Sequence, residues 1–268
     1  MLKQYMSSTH MHSRATWRSC IREAAEMGFD GVELFGGAYA SPEEMDVSRL
    51  KTLREEAARC AVTLSAHPWV DWREAPQPVL ERYVRWMLEN CARMGMREVN
   101  VHIAFFTDRE RGLGRLFSAL DPCIPVLERE GITLLFENVP GHGVRELGSE
   151  VHDFQTLFCH YGAQTPVMMT VDNGHAHIMG CVRELTERFA ERWRYLHVND
   201  NDGLDDLHVR PGAGNVDWDL LAACAKAAGY AGPLMMEYPQ DGLRAGVPVV
   251  RDAFGRAGYD LARIRPRC

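Results

Sequence analysis

Lysine is almost missing from this chain of 268 residues. Lys3, Lys51 and Lys226 are all of it, so arginine carries nearly all the positive charge. A Schiff-base aldolase needs a lysine near the carboxyl end of a barrel strand, and Lys3 stands at the start of the first strand candidate, so that chemistry is excluded. The cysteines at 20, 60, 91, 123, 159, 181, 224 and 268 contain no C-x-x-C pair. That excludes zinc ribbons and thioredoxin-like redox motifs, and the scatter reads as reduced core thiols of a cytoplasmic protein. The opening residues MLKQYMSSTHMH lack an apolar stretch of signal-peptide length. No apolar run approaches the roughly 18–20 residues of a membrane span. The net charge is −7 with no Lys/Arg cluster, which leaves no electrostatic footprint for nucleic acid. The phosphate loop G-x-x-x-x-G-K-[ST], the dinucleotide fingerprint G-x-G-x-x-G and the nucleophile elbow G-x-S-x-G are all missing.

What is present is an ordinary globular composition, 46% hydrophobic and 25% charged. A chain this long folds without a disulfide or metal staple. No linker or low-complexity tract divides it, so residues 1–268 are expected to form a single domain. Instead a unit recurs: a helical pattern, a glycine, a short apolar run, then polar loop residues. Met27-Gly28 precedes GVELF, Met94-Gly95 precedes EVNVH, Gly131 precedes ITLLFE and Gly229 precedes GPLMME. Glycine just past a helix end is the usual left-handed cap. The strand candidates are 2–6, 30–35, 62–66, 98–103, 132–137, 167–172, 194–199 and 233–238. Amphipathic helical stretches such as 46–60, with Asp46 as its N-cap, and 77–94 lie between them. Near-continuous apolar strands fit a parallel sheet covered on both faces. An open doubly wound sheet alternates strand and helix in the same way. Eight units of about 33 residues fill the chain, however, which predicts an α/β fold, a single (β/α)8 TIM barrel.

In a barrel the carboxyl ends of the strands build the active site. Six successive strand ends, third to eighth, carry a metal-ligand type: His67, His102, Glu137, Asp172, His197 and Glu237. Charged groups ending buried strands cost several kcal/mol unless paired or bound to a cation. With no lysine nearby, a divalent metal is the natural cation. Glu137, Asp172, His197 and Glu237 form the core of the expected site. His67, His102, His175, Asp206 and His208 are further ligands, or else contacts to substrate. The mixed oxygen and nitrogen set suits Mn²⁺, Zn²⁺, Fe²⁺ or Co²⁺ better than Ca²⁺. Glu33, in GVEL, is a site carboxylate or a satisfied polar group inside the barrel.

These residues also carry a resemblance. GFDGVEL at 28–34, FEN at 136–138, VDNGHAH at 171–177 and HVNDNDGLDDLHVRPGAGNVDW at 197–218 resemble the xylose isomerase-like, or apurinic-endonuclease family 2, TIM barrels, often called sugar phosphate isomerase/epimerases. The resemblance covers essentially the whole chain. It implies a four-ligand metal site on Glu137, Asp172, His197 and Glu237, with the two glutamates on opposite sides of the substrate carbon. Endonuclease IV shares the scaffold and holds three zinc ions. By motif its nine ligands fall on His67, His102, Glu137, Asp172, His175, His197, Asp206, His208 and Glu237. The chain departs from the family at three points. Gly203 stands where ketose 3-epimerases place an arginine, with Arg210 as its substitute. The active-site lysine of xylose isomerases is missing. Pro211-Gly212-Ala213-Gly214 replaces a PGEG-like turn.

The expected activity is that of a divalent-metal isomerase or epimerase for a sugar, sugar phosphate or related polyhydroxy carbonyl compound, bound by one to three ions, Mn or Zn before Fe or Co. Glu137 and Glu237 transfer the proton through a metal-stabilised enediolate. His175, Trp69, Arg210 and Glu33 are the expected substrate contacts, with Trp72 beside Trp69. His10, His12, Phe105, Phe106, His142, Arg145 and Arg244 are further loop candidates. The runner-up is a multinuclear, endonuclease IV-like phosphoester hydrolase, and a non-catalytic sugar-binding barrel is a third class. The expected partner is a small carbohydrate-like molecule, with neither nucleic acid nor membrane; assembly into a homo-oligomer stays open.

Overall fold

A computed structural model describes residues 1–8, 16–36, 47–103, 106–141 and 146–261. Asp46, His10, His12, Phe105, His142, Arg145 and Cys268 lie outside the described residues. The strands are β1 (Gln4–Ser7), β2 (Gly31–Gly36), β3 (Thr63–Pro68), β4 (Glu98–His102), β5 (Thr133–Glu137), β6 (Val167–Asp172), β7 (Trp193–Val198) and β8 (Leu234–Met236). Each pairs in parallel with its sequence neighbours, and β8 returns to β1, so the sheet closes into the expected barrel. The open-sheet alternative is thereby set aside.

The helices in chain order are α1 (Trp17–Met27), α2 (Val47–Cys60), α3 (Gln77–Met94), α4 (Arg109–Leu120), α5 (Ile124–Glu130), α6 (Val151–His160), α7 (Asn173–Ile178), α8 (Val182–Arg188), α9 (Trp218–Ala227) and α10 (Leu243–Arg256). The expected helix at 77–94 is α3, whose Leu80, Val84, Met87, Leu88, Cys91 and Met94 form its buried stripe. Gly28 at φ 86° and Gly95 at φ 78° turn the chain from α1 and α3 into the next strands, in a conformation that a side chain resists. Most of the core lies between the strands and the helix ring. A small separate cluster of Tyr5, Leu135, Tyr195 and Met235 fills the barrel's centre, and Ser65 Oγ and Tyr195 OH lie 2.8 Å apart beside it.

The last strand differs from expectation. The run 233–238 contributes only three strand residues, because Tyr238-Pro239 turns the chain out of the sheet. Glu237 still anchors its backbone N–H on Val198 O at 2.9 Å, so it sits just past β8 at the mouth of the barrel.

Candidate metal centre

Parallel register sets the ligand types at one height. His102 at the end of β4 pairs with Glu137 at the end of β5, and Asp172 at the end of β6 pairs with His197 on β7. The nine groups singled out in the sequence come together as three contiguous sets, each with ligand atoms within 4.8 Å of one another. Glu137, Asp172, His197 and Glu237 form the deepest set, all buried. Glu137 also belongs to a second set with His67 and His102. The third set, His175, Asp206 and His208, lies at the rim, where Asp206 and His208 are partly exposed.

The chemistry of these donors fits a cation. His67 Nε2, Glu137 Oε1, His197 Nδ1 and Glu237 Oε2 are buried and have no hydrogen-bond partner. Nevertheless His197 Nδ1 lies 2.9 Å from Glu237 Oε2 and 3.2 Å from Glu137 Oε1. Lone-pair atoms left unsatisfied yet aimed at one another are what a divalent ion would join.

The other ring nitrogens show why the rings point this way. Glu33, wholly buried on β2, lies 3.2 Å from His67 Nδ1 and 3.3 Å from His197 Nε2. His175 Nδ1 lies 2.7 Å from Asn138 O, and His208 Nδ1 lies 2.9 Å from Glu237 O. An acceptor on one nitrogen holds the proton there and leaves the opposite nitrogen's lone pair for the site. Glu33, expected among the substrate contacts, positions two rings and itself forms a fourth set with His67, His197 and Glu237.

Burial pushes each carboxylate here towards its neutral form, and neighbouring charges decide the outcome. At Glu237 the charges of His197 and His208 prevail and hold the carboxyl at about 2. Glu33 and Glu137 also end below the usual range, drawn down against burial chiefly by His197. Asp172 rises to about 6, because burial is reinforced by Glu137 and Glu237. Burial also opposes charging of the rings. Asp172 and Asp206 still carry His175 up to about 10, while Asp206 and Glu237 carry His208 up to about 9. Without a metal, imidazolium protons supply the missing positive charge; a divalent ion would replace them.

A layer of carboxamides, overlooked in the sequence, braces the ligands. Asn100 donates to Glu137 Oε2. Asn138 clamps the backbone of Asp172 through Nδ2 to its O at 3.0 Å and through Oδ1 from its N at 2.8 Å. Asn199 Nδ2 donates to Asp172 Oδ2 at 2.9 Å. The hint was present, since these asparagines sit in NVH, FEN and HVND beside or near ligands, yet asparagine near a strand end is equally an ordinary turn residue. Asp200 is the other overlooked group. Fully buried, its carboxylate accepts from the backbone N–H of Asn201, Gly212 and Val216 and from Trp218 Nε1. It thereby closes the loop that carries Asp206 and His208.

The two loop tryptophans separate. Trp72 is buried and donates from Nε1 to His102 O at 3.1 Å, so it packs the loop onto the barrel. Trp69 is 50% exposed, with its ring edge-to-face against His102 at 6.4 Å. A cavity of about 280 Å³ lies beside both, with Asp71 and Glu146 on its wall. Phe106 is buried and packs in the core. Arg210 is exposed and its Nη1 reaches Pro211 O at 3.4 Å, outside the three sets. Arg244 is exposed on α10.

Residues 21–257 match the family described as the xylose isomerase-like TIM barrel, and the chain belongs to that family. Among curated relatives, an uncharacterized protein of Methanocaldococcus jannaschii is 26% identical over 82% of this chain and 78% of its own. Fructoselysine 3-epimerase of Escherichia coli O157:H7 is 22% identical over 84% of this chain and 86% of its own. Among solved structures, a D-tagatose 3-epimerase-like protein superposes with a TM-score of 0.82 at 21% identity, covering 96% of this chain and 98% of that one. Endonuclease IV from Thermus thermophilus superposes with a TM-score of 0.65 at 18% identity, over 95% and 99% of the two chains. No helix among the described residues is long and apolar enough to cross a membrane.

Proposed function

We propose that this protein is a divalent-metal-dependent isomerase or epimerase of a sugar, sugar phosphate or similar polyhydroxy carbonyl compound, with residues 1–268 acting as one domain. The observation that carries the reading is the pair Glu137 and Glu237. Both carboxylates are buried, both present an unsatisfied oxygen, and both face His197 Nδ1, one from the end of β5 and one from just past β8. The sugar epimerases among the relatives and structural neighbours support the substrate class.

Glu137, Asp172, His197 and Glu237 would hold the first ion. When bound, the metal supplies a Lewis acid for two adjacent substrate oxygens and for the negative charge that develops on them. The chain's own groups do the rest. One glutamate removes the proton from the carbon beside the carbonyl, and the other delivers a proton. Delivery to the same carbon on its other face epimerises, and delivery to the neighbouring carbon isomerises. Asn100 fixes the orientation of Glu137, and Glu33 fixes that of His197. His175 orients a substrate hydroxyl, and Trp69 offers a half-exposed ring for a sugar face. The scattered free cysteines among the described residues support a cytoplasmic setting.

A second reading, a phosphoester hydrolase with several ions, is favoured by one feature: the three sets adjoin, and Glu137 is common to two of them. Incubation of the Mn²⁺- or Zn²⁺-loaded protein with a ketose panel in D₂O separates the readings. Under the first, one substrate C–H becomes C–D with about one tightly bound ion per chain. Glu137→Gln and Glu237→Gln each lower exchange at least 10²-fold. No exchange on any ketose, with about three ions and turnover of a phosphoester, would overturn it.

A further inference from the structure

The barrel's other end holds a second chamber. A cavity of about 440 Å³ opens there at the amino ends of the strands, lined by Lys3, Tyr5, Glu98, Thr133, Trp193 and Arg194 among others. That volume is within the range of small-molecule pockets. The central cluster of Tyr5, Leu135, Tyr195 and Met235 stands between it and the metal centre, so the chamber belongs to neither the mouth nor its ligands.

Its charges are unbalanced. Glu98 enters at the start of β4, and burial pushes its carboxyl up to about 7, with Lys3 pulling the other way. Lys3 acts on it electrostatically but makes no salt bridge among the described residues. Arg194 spends one contact on Trp193 O, at 3.3 Å, and has no carboxylate partner among them either. The exposed basic side chains of Lys3 and Arg194 thus stand at the rim, with Glu98 on the wall and a floor of aromatic and apolar side chains below. A site of this kind takes a negative charge at the rim, a hydrogen-bond acceptor beside a carboxylic acid, and an apolar body against Tyr5 and Trp193.

We propose that this chamber is a second ligand site, for a small organic carboxylate with a flat or branched apolar body. The carboxylate would lie between Lys3 and Arg194 and the body against Tyr5 and Trp193. The inference is independent of the activity proposed for the metal centre.

Isothermal titration of the full chain with benzoate tests it, with inorganic phosphate and benzyl alcohol titrated in parallel. Benzoate is expected to saturate one site per chain at millimolar concentration. Phosphate, lacking the apolar body, and benzyl alcohol, lacking the charge, are expected to bind at least tenfold more weakly. The double variant Lys3→Ala, Arg194→Ala should weaken benzoate at least tenfold. Ala231→Trp, on an exposed residue of the cavity wall, should block it without disturbing the core. Trp69→Ala, on a half-exposed residue of the opposite mouth, should leave it unchanged. Absence of saturation overturns the proposal, as does equal binding of phosphate or benzyl alcohol. Retention of benzoate by the Ala231→Trp protein, or its loss with Trp69→Ala, overturns it too, because either would place the binding elsewhere.

Discussion

The two mouths of this barrel treat a glutamate shielded from water in opposite ways. At the carboxyl ends of the strands, Glu33, Glu137 and Glu237 are driven below their usual range, while Asp172, which feels the charges of Glu137 and Glu237, rises to about 6. At the amino ends, Glu98 is driven up to about 7. Burial is the largest influence on all four glutamates and acts in the same direction on each. The difference is the partner. The upper three lie around His197, whereas Glu98 has Lys3 pulling it down without a salt bridge and the charge of Glu33 adding to burial. Depth alone therefore marks no site; a buried acid becomes a candidate ligand when imidazoles converge on it and a lone pair is left over.

The strongest way to break this contrast is to remove the shared ring. His197→Ala leaves Glu33, Glu137 and Glu237 buried without their common positive partner. In metal-free protein the expected loss is roughly 3–5 kcal/mol, the cost of uncompensated buried charge. Urea unfolding at pH 7 measures it. A change below about 1 kcal/mol would mean that the upper carboxylates are as independent of imidazole as Glu98 is.

The legibility of the two mouths differs just as much. The barrel was readable because buried parallel strands leave apolar runs in the sequence, and six of the eight runs end at or beside a charged or imidazole side chain. Glu237 was found although β8 stops one residue short of it, since the ligand type survives a small error in strand length. The roles of Asn100, Asn138 and Asp200 were not readable, because each depends on a partner 12 to 97 residues away. Trp69 and Trp72 look alike in sequence, and only the path of their loop puts one in solvent and the other under His102. Glu98 gave no signal at all: an acid at the first position of a strand ordinarily faces water, and its partial burial arises from how the amino ends of neighbouring strands close around it.

A milder test stays within the upper mouth. Asp200→Ala strands the N–H groups of Asn201, Gly212 and Val216 and the indole of Trp218. About 2–4 kcal/mol of stability should be lost, given roughly 1–3 kcal/mol for each buried donor left unsatisfied and some access of water to the opened loop. The loop that Asp200 closes bears Asp206 and His208 but none of the deepest set, so the damage should be local. Hydrogen exchange is expected to rise across 200–218 and to stay unchanged in β5 and β6. Uniform loss of protection would show instead that the loop and barrel unfold as one unit.

The smallest effect sharpens the contrast from below and has the opposite sign. A carboxyl with an ordinary value near 4.5 that rises to about 7 on folding binds its proton more tightly in the native state than in the unfolded one. Between those two values the native protein carries the extra proton, so stability falls as pH rises through that window and levels off above it. At ~1.36 kcal/mol per unit the penalty is at most roughly 3–4 kcal/mol. Water reaching the chamber screens it to about 1–2 kcal/mol. Glu98→Gln removes the charge while keeping the shape, so it should stabilise the protein by that amount at pH 8 and leave it nearly unchanged at pH 4.5. Paired urea titrations at the two pH values read the difference directly. A glutamine variant less stable than the parent at pH 8 would mean that Lys3 holds Glu98 ionised after all, and the lower mouth would then follow the same rule of paired charge as the upper.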